Sequence, residues 1–182
     1  MRGLVPLLLS LCLPIVPLRA DERPEDLKPL YRFFDKVRNH HIYTTDEQEL
    51  ADWRLDQNLK EQVIVGEVAS TELSGTVRLW RATRRGDGRQ FYYTQAPGKA
   101  KGVVVDSEKF HVYVWKRAGD DRVGIFGSTW IDGTDSFFDR DRDKVRKYTE
   151  ATRKALGVER RHLGQNAAFY VYSSLEEGEA SQ

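Results

Sequence analysis

Cysteine is nearly absent from this chain of 182 residues, with a single thiol at Cys12. That excludes an internal disulfide framework and a cysteine-based zinc site, and it leaves no thiol nucleophile beyond the N-terminal segment. An excess of charge is missing too, since 29 Lys and Arg face 28 Asp and Glu. Nucleic acid favours a clear basic surplus, so no nucleic-acid partner is expected. Long apolar runs are scarce. The one that occurs, Leu4 to Leu18, is too short for a membrane span and is interrupted by Pro6, Pro14 and Pro17. Nucleophile and phosphate motifs are also lacking. Ser128-Thr129 has no flanking glycine pair, Ser173-Ser174 lies in a polar tail, and there is no Gly-rich phosphate loop. These absences predict a protein that is not an enzyme, with no catalytic residue and no cofactor.

The N-terminal run has the form of a secretory signal peptide. Arg2 is its basic start, Leu4 to Leu18 its apolar body, and Ala20 its end before Asp21-Glu22-Arg23. Leu18 stands where a small residue is usual three positions before the cut. A lipid anchor at Leu9-Ser10-Leu11-Cys12 is disfavoured by the bulk of Leu11. A secreted or periplasmic location is therefore expected, with no membrane span once residues 1–20 are removed. Arg2 and Arg19 leave with the segment, so 27 basic residues then face 28 acidic ones. Residues 21–28 are charged, carry Pro24 and read as a disordered leader. Residues 173–182 read as a disordered tail. The stretch between, 29–172, is long enough for one domain with its own core. Without disulfides that core must rest on packing, and the 4 Trp, 8 Tyr and 8 Phe all lie outside the signal segment to supply it.

An aromatic pattern fills this stretch three times. Leu30-Tyr31-Arg32-Phe33 with His41-Ile42-Tyr43-Thr44-Thr45 is the first copy. Leu79-Trp80-Arg81 with Phe91-Tyr92-Tyr93-Thr94 is the second, 49 to 50 positions on. Ile125-Phe126 with Phe137-Phe138 is a degraded third, 95 positions on. Such self-similarity signals a repeated supersecondary unit too small to bury its own apolar face. The copies fall at about 29–75, 76–120 and 121–172. Each reads as two hairpin strands, a connector and one or two further strands, with Gly86-Asp87-Gly88, Gly119-Asp120-Asp121 and Asp132-Gly133 as turns. Thr45 or Asp46 caps a short helix in the first copy, with Asp46, Glu47 and Glu49 at its N-terminal end and Leu50, Trp53 and Gln57 on one side. Val145, Tyr148, Thr149, Thr152 and Leu156 recur at helical spacing over 139–156 in the third, ended by Gly157. The expected class is mainly β: three imperfect repeats with β-trefoil-like closure, or else an open sheet with helices on one face.

At these residues the chain resembles a family of secreted, mostly bacterial repeat domains of unknown function. Their units read Leu-Tyr-Arg-Phe-Tyr-Asn, Asp-His-Phe-Tyr-Thr-Thr and Gly-x-Ala-Phe-Tyr-Val-Tyr. Leu30 to Asp35, His40 to Thr45 and Ala168 to Tyr172 match these blocks. The later copies depart from the motif. Phe91 and Ser136 stand where it has His, and Gly127 where it has Arg. The resemblance implies an accessory module that binds at a cell surface; the expected partner is carbohydrate or a cell-envelope polymer, and the alternatives are a structural or protein-interaction domain without a small ligand, or a small hydrolase. It does not name a ligand, and the oligomeric state is unassigned.

The candidate binding residues are Arg32, His41 and Tyr43, with Arg81 and Tyr93 as their counterparts. An Arg, an imidazole and a phenol at one end of a hairpin can hydrogen-bond a sugar while a ring stacks on it. The alternative, favoured by the motif's repetition, is that they build the core. Trp80, Tyr92, Trp115 and Trp130 form a second candidate, an aromatic platform, for which core packing is again the plainer reading. No metal is expected. His40 and His41 point to opposite faces of a strand, and His111 and His162 are remote. Asp139, Asp141, Asp143 and Glu150 copy the acidic spacing of a calcium loop, but Lys144 stands where the sharp turn needs Gly, and Arg140 and Arg142 cancel the field. They read as the capped start of a helix.

Overall fold

Alternation of aromatic and β-branched residues with polar ones gives strands, and turn residues between them give hairpins. The computed structural model describes residues 23–96, 102–106, 110–129, 136–156 and 167–173. The expectations for the signal segment, Pro97-Gly98, Trp130, Asp132-Gly133, Gly157, His162 and residues 174–182 lie outside these. The elements are β1 (Leu27–Asp35), β2 (His40–Thr44), α1 (Glu47–Leu55), β3 (Leu59–Ala69), β4 (Thr76–Arg84), β5 (Gln90–Tyr93), β6 (Val103–Asp106), β7 (Val112–Trp115), β8 (Arg122–Thr129), β9 (Ser136–Asp139), α2 (Arg142–Leu156) and β10 (Phe169–Tyr172). β1 starts inside the stretch read as leader. It carries Pro29 where only β3 pairs with it, so the missing N–H costs no ladder bond on the β2 side. Arg23, just before it, pairs with Glu67 and donates to the Ser173 carbonyl at 3.1 Å.

The strands form one antiparallel, open sheet in the order β2-β1-β3-β10-β7-β4-β5, with β6 on β4 and β8–β9 attached through β10. The barrel closure expected of a trefoil is not seen among the described residues. β3, β7 and β10 meet only through the single pairs Tyr172–Glu67, Tyr170–Trp115 and Ala69–Tyr113, a narrow crossing instead of continuous ladders.

Three hairpins carry the rest. β1–β2 pairs Arg32 with Tyr43 and Phe34 with His41. β4–β5 pairs Arg81 with Tyr92 and Thr83 with Gln90. β8–β9 pairs Gly127 with Phe138 and Thr129 with Ser136. The other half of each leading strand pairs elsewhere, placing Leu30 opposite Gly66, Leu79 opposite Val112 and Ile125 opposite Phe169. Leu30, Leu79, Ile125, Val68, Val114 and Val171 are all but fully buried, and they share one cluster with Tyr43, Tyr92 and Phe138. Each such aliphatic side chain withdrawn from water contributes about 2 kcal/mol of transfer free energy. β2, β5 and β9 touch one another pairwise, so the return strands converge. Gly66 is where β3 crosses β10: a Cβ there would lie 2.2 Å from Val171 Cγ2.

The two helices lie beside this frame. Asp46 caps α1 by accepting the Glu49 N–H at 2.8 Å, and Leu50 is its buried residue. Asp141 caps α2 by accepting from the N–H groups of Asp143 and Lys144, at 2.8 and 3.1 Å. Val145 and Thr149 are buried and Tyr148 half-buried, while Arg146, Lys147 and Glu150 face solvent. Among the described residues no helix is long and apolar enough to cross a membrane.

Candidate functional site

A charged residue inside a hairpin's core face must find partners there or the fold loses several kcal/mol. Arg32 is 2% exposed. Its Nη1 donates to the Phe138 carbonyl at 2.7 Å and pairs with Asp139 Oδ2 at 2.9 Å, and its guanidinium lies 4.8 Å from the Phe137 ring centre. Asp139 also takes Lys144 Nζ at 3.1 Å and the Asp141 N–H at 3.0 Å. Burial pushes the Asp139 carboxyl up, but the Asp141 N–H, Arg32 and Lys144 outweigh it and hold the pKa below the usual value.

Arg81 repeats the arrangement with other partners. It grips Glu49 with two bonds, Nη1 to Oε2 at 2.8 Å and Nη2 to Oε1 at 3.0 Å, and its Nε donates to Asp106 Oδ2 at 3.1 Å. The Phe110 ring centre lies 4.8 Å away. Burial disfavours its charge, yet the bonds from Glu49 and Asp106 more than offset that and the pKa is raised. Each arginine thus reaches out of its own hairpin: Arg32 to the end of β9, Arg81 to α1 just beyond β2.

Tyr43 is fully buried. Its hydroxyl donates to the Ser136 carbonyl at 3.1 Å and accepts the Phe138 N–H at 2.8 Å. Its own N–H donates to the Tyr92 hydroxyl oxygen at 2.8 Å, and the two rings meet edge to face at 4.8 Å. His41 is 5% exposed and packs against Phe34, Phe137 and Tyr148, at 5.1, 4.7 and 5.3 Å between ring centres. Arg32, His41 and Tyr43 are therefore brought together, with their polar atoms and faces turned inward. Of the aromatic candidates, Trp115 is buried edge-on to Tyr172, and half-buried Trp80 is covered by Arg78 at 4.3 Å. The His40 Nε2 accepts the Gln90 N–H at 3.2 Å. Among the described residues no group of three or more His, Cys, Asp or Glu is placed to hold a metal.

Tyr93 stands apart. The hairpin register sets Tyr92, not Tyr93, opposite Arg81, so Tyr92 occupies the place of Tyr43. One residue of offset turns a strand side chain to the other face. Tyr93 is half-buried, and burial raises its phenol pKa. It lines an open cleft of about 320 Å³. β5 and its continuation supply Tyr92, Tyr93, Thr94 and Gln95; β8 and β9 supply Gly127 and Phe138; Ala168 and the first residue of β10, Phe169, complete it. Gly127 stands opposite Phe138 as Arg32 stands opposite Tyr43. No arginine fills that place, and a Cβ there would lie 2.5 Å from the Phe138 ring.

Sequence reasoning missed Glu49, Asp106 and Asp139 as arginine partners, and Tyr92 as the partner of Tyr43. Glu49 and Asp139 carry a signal in the sequence, but only as acids at helix starts. That Gly127 and not arginine stands at the motif place is visible in the sequence; that a cleft adjoins it is not.

Residues 16–119 match the family model described as Domain of unknown function (DUF5648), and the chain belongs to that family. The match ends after β7, so it contains the β1–β2 and β4–β5 hairpins while Gly127, Phe138 and Phe169 lie beyond it. No curated protein and no solved structure matches the chain.

Proposed function

We propose that this is an exported, non-enzymatic binding module, built from three copies of one hairpin unit, that holds glycan or another cell-envelope polymer in the cleft beside Gly127. The carrying observation is a division of labour. The polar groups of Arg32, Tyr43 and Arg81 are engaged inside the protein and His41 is enclosed by rings, whereas the cleft opens to solvent beside the half-buried Tyr93 ring, Thr94 and Gln95. Concave aromatic walls with a few polar groups are the common form of a small-ligand site. Supporting the three copies, the hairpins share one register, with Arg32, Arg81 and Gly127 at corresponding places across from Tyr43, Tyr92 and Phe138. Supporting export are the basic start, apolar run and small residue at Ala20.

The test is an array of glycans and cell-wall polymers probed with the full chain beside Tyr93→Ala and Arg32→Ala. Binding that folded Tyr93→Ala loses, while Arg32→Ala loses only thermal stability, is the expected result. Binding that depends on Arg32 in a variant whose melting is unchanged would return the site to the first hairpin.

A further inference from the structure

We infer that the cleft beside Gly127 is the place of a missing internal arginine, and that it takes one neutral sugar ring of a glycan chain. This deepens the proposed function and rests on it. The first step is positional. In two hairpins the residue facing the aromatic partner is an arginine, and its guanidinium runs to the neighbouring hairpin. Arg32 ends at Phe138 and Asp139, the last residues of β9. Arg81 ends at Glu49, five residues past Thr44. By the same step an arginine at 127 would end near the close of β5, at Tyr92 to Gln95. Those residues line the cleft. The cleft thus lies where the far end of such an arginine would come, while the Phe138 ring takes the place of its stem at Gly127.

The second step concerns charge. Each arginine is met by carboxylate, Asp139 in one case, Glu49 and Asp106 in the other. Among the described residues lining the cleft none is charged. Among the described lining a cation from a ligand finds no counter-charge, and an anion no arginine or lysine, so either loses hydration there without compensation. An uncharged ligand avoids that cost. Tyr92, Phe138 and Phe169 are buried and form the floor, so what the lining offers a ligand is the half-buried Tyr93 ring with its phenol, the Thr94 hydroxyl and the exposed Gln95 amide. Apolar faces flanked by donors and acceptors are complementary to a pyranose ring, whose C–H faces stack while its hydroxyls hydrogen-bond.

The test titrates the full chain with neutral oligomers (chitohexaose, cellohexaose, maltohexaose) and with the acidic hexagalacturonate. The same titrations are made with Ala168→Trp, which fills the cleft from an exposed rim position, and with Gln95→Ala, which removes one exposed amide. Expected is binding of a neutral oligomer, unchanged by hexagalacturonate in competition, weakened at least about tenfold by Ala168→Trp and a few fold by Gln95→Ala, with melting temperatures near that of the parent. Tighter binding of hexagalacturonate would overturn the neutral class and leave the module reading standing. Binding that folded Ala168→Trp retains would overturn the cleft. Absence of binding to these oligomers and to every polymer of the array would overturn the module reading and this inference together.

Discussion

The arginine places of the first two hairpins and the glycine place of the third occupy corresponding registers and have opposite characters. At Arg32 and Arg81 a cation is buried, an aromatic ring covers it and carboxylates answer it. At Gly127 there is no side chain, Phe138 lies against the backbone, and a cleft opens alongside. The difference teaches that this motif is a clamp between hairpins before it is anything else. β3, β7 and β10 join the hairpins at one end through single residue pairs. At the other end, where β2, β5 and β9 converge, the arginines and Tyr43 supply the cross-links.

The sharpest way to break the comparison is to remove a clamp. Arg81→Ala takes the guanidinium from Glu49, which keeps the Thr44 hydroxyl, and from Asp106, and loss of the buried partner of an ion pair costs about 3 kcal/mol. Urea unfolding should show that loss with an unchanged m-value. A loss under half a kilocalorie would mean the clamp is ornamental. Arg32→Ala should cost less, because Asp139 keeps Lys144 and the Asp141 N–H.

Next in size is the complement at the open place. Gly127→Ala puts a methyl against the Phe138 ring and should destabilise by about 2 kcal/mol through overpacking. Neutral or stabilising behaviour in thermal melts would show that the ring yields, and that an arginine could be restored there. Tyr43→Phe follows. It removes the hydroxyl that accepts the Phe138 N–H and donates to Ser136, leaving a buried donor unmet, at about 1–2 kcal/mol in chemical unfolding.

How far these places could be read from the sequence depends on the separation of the partners. The mainly β class followed from local aromatic and β-branched runs, and the two helices from acids before apolar spacing, although α2 begins at Arg142 with Asp141 as its cap and not at Asp139. The choice of the open sheet over trefoil-like closure did not, because the crossings at Glu67, Ala69 and Trp115 are single pairs with no sequence mark. Arg32 was visible as a charge in an apolar block, but Asp139 lies 107 residues away and looked like a helix-start acid. The doublet Tyr92-Tyr93 offered two registers one residue apart, and only the hairpin pairing with Arg81 decides between them.

The pH dependence sharpens the contrast further. The Asp139 carboxyl sits below its ordinary pKa because Arg32, Lys144 and the Asp141 N–H favour its charged form. Asp35, which takes the Val37 and Arg38 N–H groups and the Arg38 guanidinium, is lowered as well. Stability from groups so shifted is present above the unfolded carboxylate value of about 3.9 and is lost as pH falls through the lower folded value. Melting temperature should therefore decline from about pH 4 downward. Asp139→Asn should flatten its share of that decline at a cost in stability at neutral pH. A decline that Asp139→Asn leaves intact would assign it elsewhere.

The smallest effect on stability belongs to the cleft, and it separates the two regions most cleanly. Tyr93 is half-buried at the end of β5, outside the network that joins Tyr43, Tyr92 and Phe138. Tyr93→Phe removes only the phenol hydroxyl, so stability should change by no more than about 0.5 kcal/mol, as for most surface changes. If the cleft binds, the same change should weaken binding a few fold, because the stacking face remains while one hydrogen bond is lost. Tyr92→Phe should do the reverse, costing stability through the Tyr43 N–H it leaves unmet while binding is unchanged, because its ring is buried in the core. Two adjacent tyrosines, changed by one atom each, thus report on fold and on ligand separately. Equal effects of both variants on melting and on binding would show that the clamp and the cleft are one site.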